Sequence, residues 1–379
     1  MTKKLHFEQE QRSPRCAPGE NAINVVAQEC NGCRACMEEC LFLREQGTPG
    51  LIATKALRNG DDHPAFSCSL CQLCTQICPQ QLPIAQMFLD LRRQAVSNDR
   101  NILKSYRPLR FYEALGGSSL LKQYFIPKDC DTVFFPGCTL PGIRPKQTEQ
   151  LFMFMQKKFS SLGLVLDCCL QSSHNLGDHA GFTEKKDRII KKLKVNGIRH
   201  VITSCPSCYQ VFQQYGAGIK VSMAYSHLAD VMTLPETLAK KVKSEARYTV
   251  HDPCISRFNS DVQQDVRMLI SLAGGTVIEL AHAGVRTLCC GEGGGVGLVK
   301  KKYKLQWQQQ RKAETGSLPM ITYCAGCTVS LHSASTMHIL DLIFPGSDKP
   351  NKRVKQIQTY FNRLFFKRKM SSYFKSCKT

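Results

Sequence analysis

The fold is decided by two short stretches of sequence, which read Cys30-Asn-Gly-Cys33-Arg-Ala-Cys36-Met-Glu-Glu-Cys40 and Cys68-Ser-Leu-Cys71-Gln-Leu-Cys74-Thr-Gln-Ile-Cys78. Both stretches have the spacing C-x2-C-x2-C-x3-C. The chain has 379 residues and 21 cysteines, and eighteen of these cysteines fall into four groups of regular spacing. Such regularity indicates metal or redox chemistry, because cysteines that only fill a core need no fixed spacing. Cys16, Cys130 and Cys377 fit no group, and we expect them not to be ligands.

The two stretches predict a pair of [4Fe–4S] clusters whose ligands cross between them. Three thiolates two residues apart wrap a short turn around one face of a cubane, and the fourth points toward the neighbouring cluster. One cluster is therefore expected on Cys30, Cys33, Cys36 and Cys78, and the other on Cys68, Cys71, Cys74 and Cys40. Structural zinc is the alternative, but a zinc ion needs four ligands from two pairs rather than two such quartets. Leu41 follows Cys40 where Pro79 follows Cys78, a departure that removes no ligand.

Helical patterns surround these stretches. Residues 54–58 and 84–91 both suit helices. The region resembles the helical ferredoxin domain of respiratory iron–sulfur subunits.

The other ten patterned cysteines form two copies of one arrangement, a single cysteine, an adjacent pair and a C-x2-C motif. The copies contain Cys138, Cys168, Cys169, Cys205 and Cys208, and then Cys254, Cys289, Cys290, Cys324 and Cys327. In each copy, strand-like and helix-like segments alternate, which predicts a parallel sheet with helices on its faces. Ligands gather at the carboxyl ends of the strands in such sheets, so the five cysteines of each copy are expected to converge.

These motifs resemble the cysteine-rich CCG domain, most closely in the second copy, which contains His251-Asp-Pro-Cys254 and Cys289-Cys-Gly-Glu-Gly-Gly-Gly295. That domain occurs twice in the heterodisulfide reductase catalytic subunit, and twice in the iron–sulfur subunits of anaerobic glycerol-3-phosphate dehydrogenase and glycolate oxidase. The resemblance implies an α+β multidomain fold. Its expected parts are a helical two-cluster ferredoxin domain over 1–100, a linker over 101–129, CCG domains with α/β folds over 130–245 and 246–348, and a basic aromatic tail over 349–379.

The resemblance also implies one or two further clusters. The resemblance to heterodisulfide reductase implies that each CCG copy binds a non-cubane [4Fe–4S] cluster, which in that enzyme reduces a disulfide. In the other members the CCG pair passes electrons from a flavin subunit toward quinone. The first copy departs from the pattern, because Leu170 stands where the second copy has Gly291. Glycine there would permit a positive φ or a close approach of the backbone to a cluster.

We expect an electron-transfer iron–sulfur subunit of a multi-subunit oxidoreductase, with a flavin dehydrogenase partner and an acceptor such as quinone. A heterodisulfide reductase-type catalytic subunit is the second hypothesis, and a zinc-stabilised interaction scaffold is the third. No dinucleotide-binding fingerprint is present, since the glycines of residues 291–297 follow a ligand pair and do not open a βαβ unit. Flavin is therefore expected on a partner.

The net charge and the distribution of apolar residues indicate which partners and which cellular location to expect. The formal net charge is +21, but no nucleic-acid module accompanies it, so a nucleic-acid partner is not expected. No run of 18 apolar residues and no apolar amino-terminal segment appear, which favours a cytoplasmic location. Residues 350–379 hold nine Lys or Arg and no acidic residue. Their apolar stripe, formed by Val354, Ile357, Phe361, Leu364 and Phe365, suits an interfacial helix on the cytoplasmic face of a membrane, a helix that docks on a partner, or a frayed tail.

Three histidines lie near the cysteines. His251 precedes Cys254 by three residues, and we expect it to donate or accept a hydrogen bond rather than to bind iron, since sulfur ligands suffice. His174 and His179 follow the first CC pair. We expect them to belong to a polar loop rather than to act as proton donors.

Overall fold

The computed structural model describes residues 20–60, 62–230, 246–332, 335–345 and 356–377. Cys16 lies outside these ranges. Within them, the chain forms a helical amino-terminal region, two sheets with flanking helices, and a long carboxyl-terminal helix.

The amino-terminal region is helical and carries the two cysteine stretches. Its helices are α1 (Ala22–Glu29), α2 (Ala35–Glu39), α3 (Leu41–Gln46), α4 (Pro49–Asn59), α5 (Leu73–Ile77) and α6 (Ile84–Asn98). Helix α4 begins where the Thr48 side chain accepts a hydrogen bond from the Leu51 N–H, and Pro49 fills the first helical position, whose N–H has no partner within the helix. The predicted helices at 54–58 and 84–91 are confirmed as parts of α4 and α6.

The segment expected to be a linker, 101–129, is instead largely structured. It contains most of a 3₁₀ turn (Arg100–Tyr106), helix α7 (Arg107–Gly116) and strand β1 (Gln123–Phe125). Strand β1 forms the antiparallel edge of the first sheet. The linker prediction is corrected by this pairing. A strand of three residues is too short to show the alternation that would reveal it.

The first cysteine-rich copy lies on a sheet of five strands, of which all but β1 run parallel. The other strands are β2 (Thr132–Phe135), β3 (Gly163–Leu166), β4 (His200–Thr203) and β5 (Lys220–Met223), in the order β1-β3-β2-β4-β5. The helices are α8 (Leu140–Ile143), α9 (Pro145–Lys158), α10 (Gln171–Asn175), α11 (His179–Val195), α12 (Pro206–Tyr215) and α13 (Ala224–Asp230). Every residue of β2 and β3 is buried, because a parallel sheet is covered on both faces.

The second copy lies on a four-stranded parallel sheet. Its strands are β6 (Arg247–His251), β7 (Thr276–Val277), β8 (Met320–Thr322) and β9 (Thr336–His338), in the order β7-β6-β8-β9. The helices are α14 (Ser260–Leu272), α15 (Val296–Val299), α16 (Lys301–Thr315), α17 (Ala325–Ser330) and α18 (Ile339–Ile343). The parallel sheet with flanking helices that the sequence predicted for each copy is confirmed, with four parallel strands in each sheet.

The two sheets share one hydrophobic core. Phe134 and Ile202 of the first sheet and Val250 and Ile321 of the second belong to the same cluster of buried side chains. The buried Tyr225 hydroxyl lies between the copies and donates to the carbonyl oxygens of Ser204, at 2.8 Å, and of Tyr323, at 3.2 Å. The copies therefore pack as one body.

The carboxyl-terminal helix, α19 (Gln356–Ser376), docks on the first sheet of its own chain. Phe366, Met370 and Phe374 are buried, and the Phe374 ring stacks on Phe125 of β1 with ring centroids 4.8 Å apart. The apolar stripe that the sequence predicted lies on another side of the helix, because Ile357, Phe361 and Phe365 are exposed. A frayed tail is thus excluded for these residues, and Val354 lies outside the described part of the chain. None of the helices described is both long and apolar enough to cross a membrane.

Candidate metal centres

One set of thiols, called group A, gathers Cys30, Cys33, Cys36 and Cys78 around a single cavity. Cys30 caps the end of α1 and Cys36 lies in α2, whereas Cys78 arrives from the other stretch, directly after α5. Burial raises the pKa of the Cys36 thiol to about 12, and the neighbouring Cys30 and Cys78 add to the rise. The fourth cysteine of the second stretch therefore lies with the first three of the first stretch.

The reciprocal set, group B, consists of Cys40, Cys68, Cys71 and Cys74. Burial raises the pKa of Cys74 well above its ordinary value, and the charges of Cys68 and Cys71 act in the same direction. The pKa of Cys40 is also raised, first by burial and then by Cys71. The crossed arrangement expected from the spacing is thus the arrangement of the thiols in space.

The two stretches follow the same backbone path. Gly32 and Arg34 have φ angles of 71° and 67°, and Leu70 and Gln72 have 52° and 63°. Three of these four residues are not glycine, and each pays a steric cost of about 1–2 kcal/mol for a left-handed conformation. This strain turns the peptide groups around a common centre in both stretches.

A third set, group C, brings together the five cysteines of the first copy at the carboxyl ends of the strands. Cys138 follows β2, the Cys168–Cys169 pair follows β3, and Cys205 and Cys208 begin α12. Cys138 shares a hydrogen bond with Cys168, and Cys208 shares hydrogen bonds with Cys169 and Cys205. The bond to Cys168 lowers the pKa of Cys138 to about 6, while the same bond and burial raise that of Cys168.

The matching set of the second copy, group D, is built in the same way. Cys254 shares a hydrogen bond with Cys289, and Cys290 with both Cys289 and Cys327. Cys324 completes the set through Cys327. In both groups the five cysteines therefore lie beside one another at the carboxyl ends of the strands, and their ligation of a cluster stays a prediction.

The residue after each CC pair has a positive φ. Gly291 has a φ of 84°, and Leu170, its counterpart in the first copy, has 66°. The first copy therefore keeps the same backbone geometry although it has a leucine at this position. The replacement of glycine by leucine strains the backbone but does not change the shape of the site.

His251 is a polar residue beside group D that has no hydrogen-bond partner among the residues that the structure describes. Its side chain is fully buried, and neither ring nitrogen forms a hydrogen bond. One of its nitrogens and the sulfur atoms of Cys290 and Cys327 lie within 4.8 Å of one another. Burial lowers the pKa of His251 well below its ordinary value, so the ring is neutral and offers one N–H donor and one acceptor. Phe135, three residues before Cys138, takes this position in group C.

The remaining predicted residues lie outside these groups or have other partners. The Cys130 thiol donates to the Thr132 carbonyl oxygen at 3.1 Å, and Cys377 is exposed. The Nε2 of His174 lies 2.9 Å from the Tyr215 hydroxyl, and His179 begins α11.

Groups B and D touch each other. The Cys71 thiol lies within hydrogen-bonding distance of the Cys289 thiol, and both residues are buried with Leu73, Leu288 and Trp307. The spacing of the cysteines did not predict this contact, because the spacing within a motif determines only how the cysteines of that motif lie relative to one another.

Groups C and D face each other across Tyr225. Burial raises the pKa of this tyrosine, and the charges of Cys205 and Cys324 contribute to the rise. The four groups therefore follow one another in the order A, B, D, C.

Two buried arginines support group B and were not found from the sequence. Arg92 donates to the carbonyl oxygens of Ala65, at 3.0 Å, of Asn175, at 2.7 Å, and of Gly294, at 3.1 Å, and also to that of Cys68. It thereby joins the helical region to both sheets. The sequence offers no signal for it, because these acceptors are backbone atoms far apart along the chain.

The second arginine, Arg257, acts at the contact between groups B and D. It donates to the carbonyl oxygens of Cys71, at 2.9 Å, and of Thr287, at 2.8 Å, as well as to that of Val285. Both backbone segments that carry the touching thiols are therefore fixed by one side chain.

The donor set fits iron–sulfur clusters. Thiolate is the ligand of such clusters and suits zinc as well, and four groups with four or five sulfur atoms each are present. The His251 nitrogens fit the same conclusion, since buried polar atoms in native proteins find partners. Burial raises the pKa of Cys36, Cys40, Cys68 and Cys74, so metal binding at these thiols must displace protons.

The comparisons with known proteins match both parts of the chain. A family model described as a 4Fe-4S dicluster domain matches residues 26–82. A second model, the cysteine-rich domain CCG, matches residues 132–213 and again residues 248–332. Together these ranges cover more than half of the chain.

Three curated relatives match the chain at low identity. The EtfAB:quinone oxidoreductase of Syntrophomonas wolfei is 22% identical over 61% of this chain and 36% of its own length. A probable membrane-anchored ferredoxin of Chromohalobacter salexigens is 22% identical over 74% of this chain and 46% of its own. The probable iron-sulfur-binding oxidoreductase FadF of Bacillus subtilis is 21% identical over 49% of this chain and 25% of its own.

The chain spans between a quarter and just under half of the length of these relatives. The matched models and the grouped thiols lead to the same conclusion: the chain belongs to the iron–sulfur proteins that join a 4Fe-4S dicluster domain to two cysteine-rich CCG domains.

Proposed function

We propose that this chain is the electron-transfer subunit of a multi-subunit oxidoreductase, which relays electrons between a flavin-containing dehydrogenase partner and an acceptor such as quinone. The observation that carries the proposal is the contact between Cys71 of group B and Cys289 of group D. The similarity to an EtfAB:quinone oxidoreductase supports quinone as the class of acceptor.

The proposal assigns one cluster to each group of thiols. Groups A and B hold two [4Fe–4S] cubanes, and groups D and C each hold a further [4Fe–4S] cluster of non-cubane type. When bound, such clusters supply one-electron carriers whose potentials depend on hydrogen bonds, charge and exposure to solvent.

The protein side chains shield the path between groups B and D. Leu73, Leu288 and Trp307 pack around Cys71 and Cys289 and exclude water from them. Arg257 holds both backbone segments, which fixes the distance between the sulfur atoms. Low local dielectric and fixed geometry reduce the reorganisation that accompanies a change of charge.

Group A is the end of the series that lies nearest to the surface. Cys33 is exposed, whereas Cys68, Cys71 and Cys74 of group B are buried. A redox partner that docks beside Cys33 would therefore exchange electrons with group A first.

Metal analysis tests the proposal. Protein purified anaerobically should contain at least about eight iron and eight acid-labile sulfide per chain, and about sixteen of each if groups C and D are both loaded with four-iron clusters. Cys377→Ser is a matched control, because this exposed cysteine belongs to no group, and its iron content should equal that of the wild type. Stoichiometric zinc without sulfide would contradict the proposal and support the zinc-stabilised scaffold.

We also propose that the exposed side of α19 rests on an anionic membrane surface. Ile357, Phe361 and Phe365 are 65%, 50% and 59% exposed and lie at helical spacing on one side of the helix. Phe111 of α7, which is 62% exposed, lines the same surface groove as Ile357 and Arg107. Aromatic side chains beside basic ones suit the headgroup region of anionic lipid.

Vesicle sedimentation tests this surface. The triple variant Ile357→Ser/Phe361→Ser/Phe365→Ser should lose most of the binding to phosphatidylglycerol vesicles that the wild type shows, while Phe366, Met370 and Phe374 still hold the helix in place. Binding of the wild type should weaken in high salt, since charges are screened within about 10 Å at 0.1 M.

A control variant keeps the number of apolar substitutions constant. Leu57→Ser/Val195→Ser/Leu298→Ser changes three exposed apolar residues elsewhere and should bind vesicles as the wild type does. Equal sedimentation of the wild type and the α19 variant would exclude the membrane role and favour docking on a partner subunit.

A further inference from the structure

Arg363 of α19 places a buried positive charge beside group C. The residue is only 6% exposed. Its Nη2 donates to the Gly116 carbonyl oxygen at 3.3 Å, and its guanidinium lies 5.9 Å from the centre of the Tyr112 ring. A β-carbon built on Gly116 would lie 3.4 Å from Arg363 Nη2 and 3.5 Å from the Cys168 Cβ, so this small residue separates the guanidinium from a group C cysteine.

The hydrogen bonding of Arg363 is incomplete, in contrast with that of Arg92 and Arg257. Those two arginines each donate to three or more backbone carbonyls. Among the residues that the structure describes, Arg363 donates to the Gly116 carbonyl oxygen, and its Nη1 has no acceptor. Leaving a buried donor of a charged group unsatisfied costs more than the 1–3 kcal/mol or so of a neutral one, which indicates an acceptor other than the protein.

Two buried carboxylates, Glu113 and Asp167, also lie near group C, and the negative charge of Glu113 acts on Cys168 against the positive charge of Arg363. Within the described part of the chain, no acidic side chain forms an ion pair with Arg363. Glu113 accepts hydrogen bonds from the Ser173 N–H and hydroxyl, and Asp167 accepts from the Tyr124 hydroxyl and the Cys168 N–H.

We propose that Arg363 is a positioning residue for the first CCG site: it faces the iron–sulfur group assigned to group C and raises its reduction potential. The inference rests on the proposed function, because it requires a cluster at group C. A fixed cation in a low-dielectric site stabilises the additional negative charge that reduction brings.

The second site is surrounded by different charges. Helix α19 packs on α8, α9 and β1 of the first copy. Near group D the buried Arg257 donates to the Thr287 carbonyl oxygen, and the buried Arg311 forms an ion pair with Glu314. The two CCG sites therefore differ in their electrostatics although their cysteines match, and the effect of Arg363 is expected at group C.

Redox-poised EPR on the full-length protein tests the proposal, with the group C signal identified by its loss in Cys169→Ser. At a fixed poised potential, Arg363→Met should lower the ratio of reduced to oxidised group C at least about tenfold, which corresponds to about 59 mV for a one-electron couple. Arg363→Lys should restore most of the wild-type ratio. Arg368→Met, which removes an exposed charge from the same helix, should leave it unchanged.

Iron and sulfide content shows whether a negative result comes from the loss of a cluster or from an unchanged potential. If Arg363→Met loads poorly, Arg363→Gln keeps a donor for Gly116 without the charge and provides the decisive comparison. A fully loaded variant with an unchanged potential would overturn the role of Arg363 and leave the proposed relay standing. A wild type whose iron content shows no cluster at group C would overturn the cluster assignment, and the role of Arg363 with it.

Discussion

Arg92→Met is expected to destabilise the whole chain. The substitution leaves the carbonyl oxygens of Ala65, Cys68, Asn175 and Gly294 buried without their donor. Each unsatisfied buried acceptor costs about 1–3 kcal/mol, partly offset by removal of a buried charge, so we expect a loss of roughly 4 kcal/mol in the free energy of unfolding. Urea denaturation under anaerobic conditions, followed by circular dichroism, measures the loss as a lower midpoint.

The neighbouring arginine provides the matched control. Arg93 lies on the same helix, but its side chain is partly exposed and its ion pair is with Asp90, three residues earlier. Arg93→Met should cost no more than about 1 kcal/mol. If both variants unfold at the same urea concentration, the carbonyl contacts of Arg92 do not hold the domains together.

Cys78→Ser is expected to abolish the cluster of group A and to spare that of group B. The thiol of Cys78 lies with those of Cys30, Cys33 and Cys36, although it belongs to the second stretch of sequence. Serine has almost the same size but is a poor ligand for iron, so the loss reports ligation rather than packing. Redox-poised EPR should show one cubane signal missing, with about four fewer iron per chain.

Cys130→Ser is the control for a buried cysteine outside the groups. Its thiol donates only to the Thr132 carbonyl, a bond that a serine hydroxyl can also make, so both cubane signals should remain. The crossed assignment would be wrong if Cys78→Ser removed the group B signal and preserved that of group A.

The sequence predicted those parts of the site that depend on local spacing. Each C-x2-C-x2-C-x3-C stretch fixes its thiols within a few residues. The strands that lead to Cys138 and Cys254 are short segments rich in β-branched and aromatic residues, a composition typical of strands. The convergence of five cysteines per copy followed from the topology of a parallel sheet. The ligand assignments themselves remain predictions that metal analysis must test.

The features that escaped prediction depend on contacts between distant segments. Arg92 donates to a carbonyl 202 residues away, and Arg363 meets Gly116 247 residues away. These acceptors are backbone carbonyl groups, which every residue has, so the pattern of side chains in the sequence does not reveal them. Helix α19 has an exposed apolar side and a buried one, and its docking site includes β1, which was itself too short to predict.

The burial of Cys71 against Cys289 has a consequence for the maturation of the chain. Cys71 is 8% exposed and Cys289 is fully buried, so neither thiol is accessible from solvent while the second sheet covers the helical region. On the proposed assignment of clusters, insertion at groups B and D would require these two parts of the chain to be apart. Premature docking of the two parts would then slow the loading of both groups.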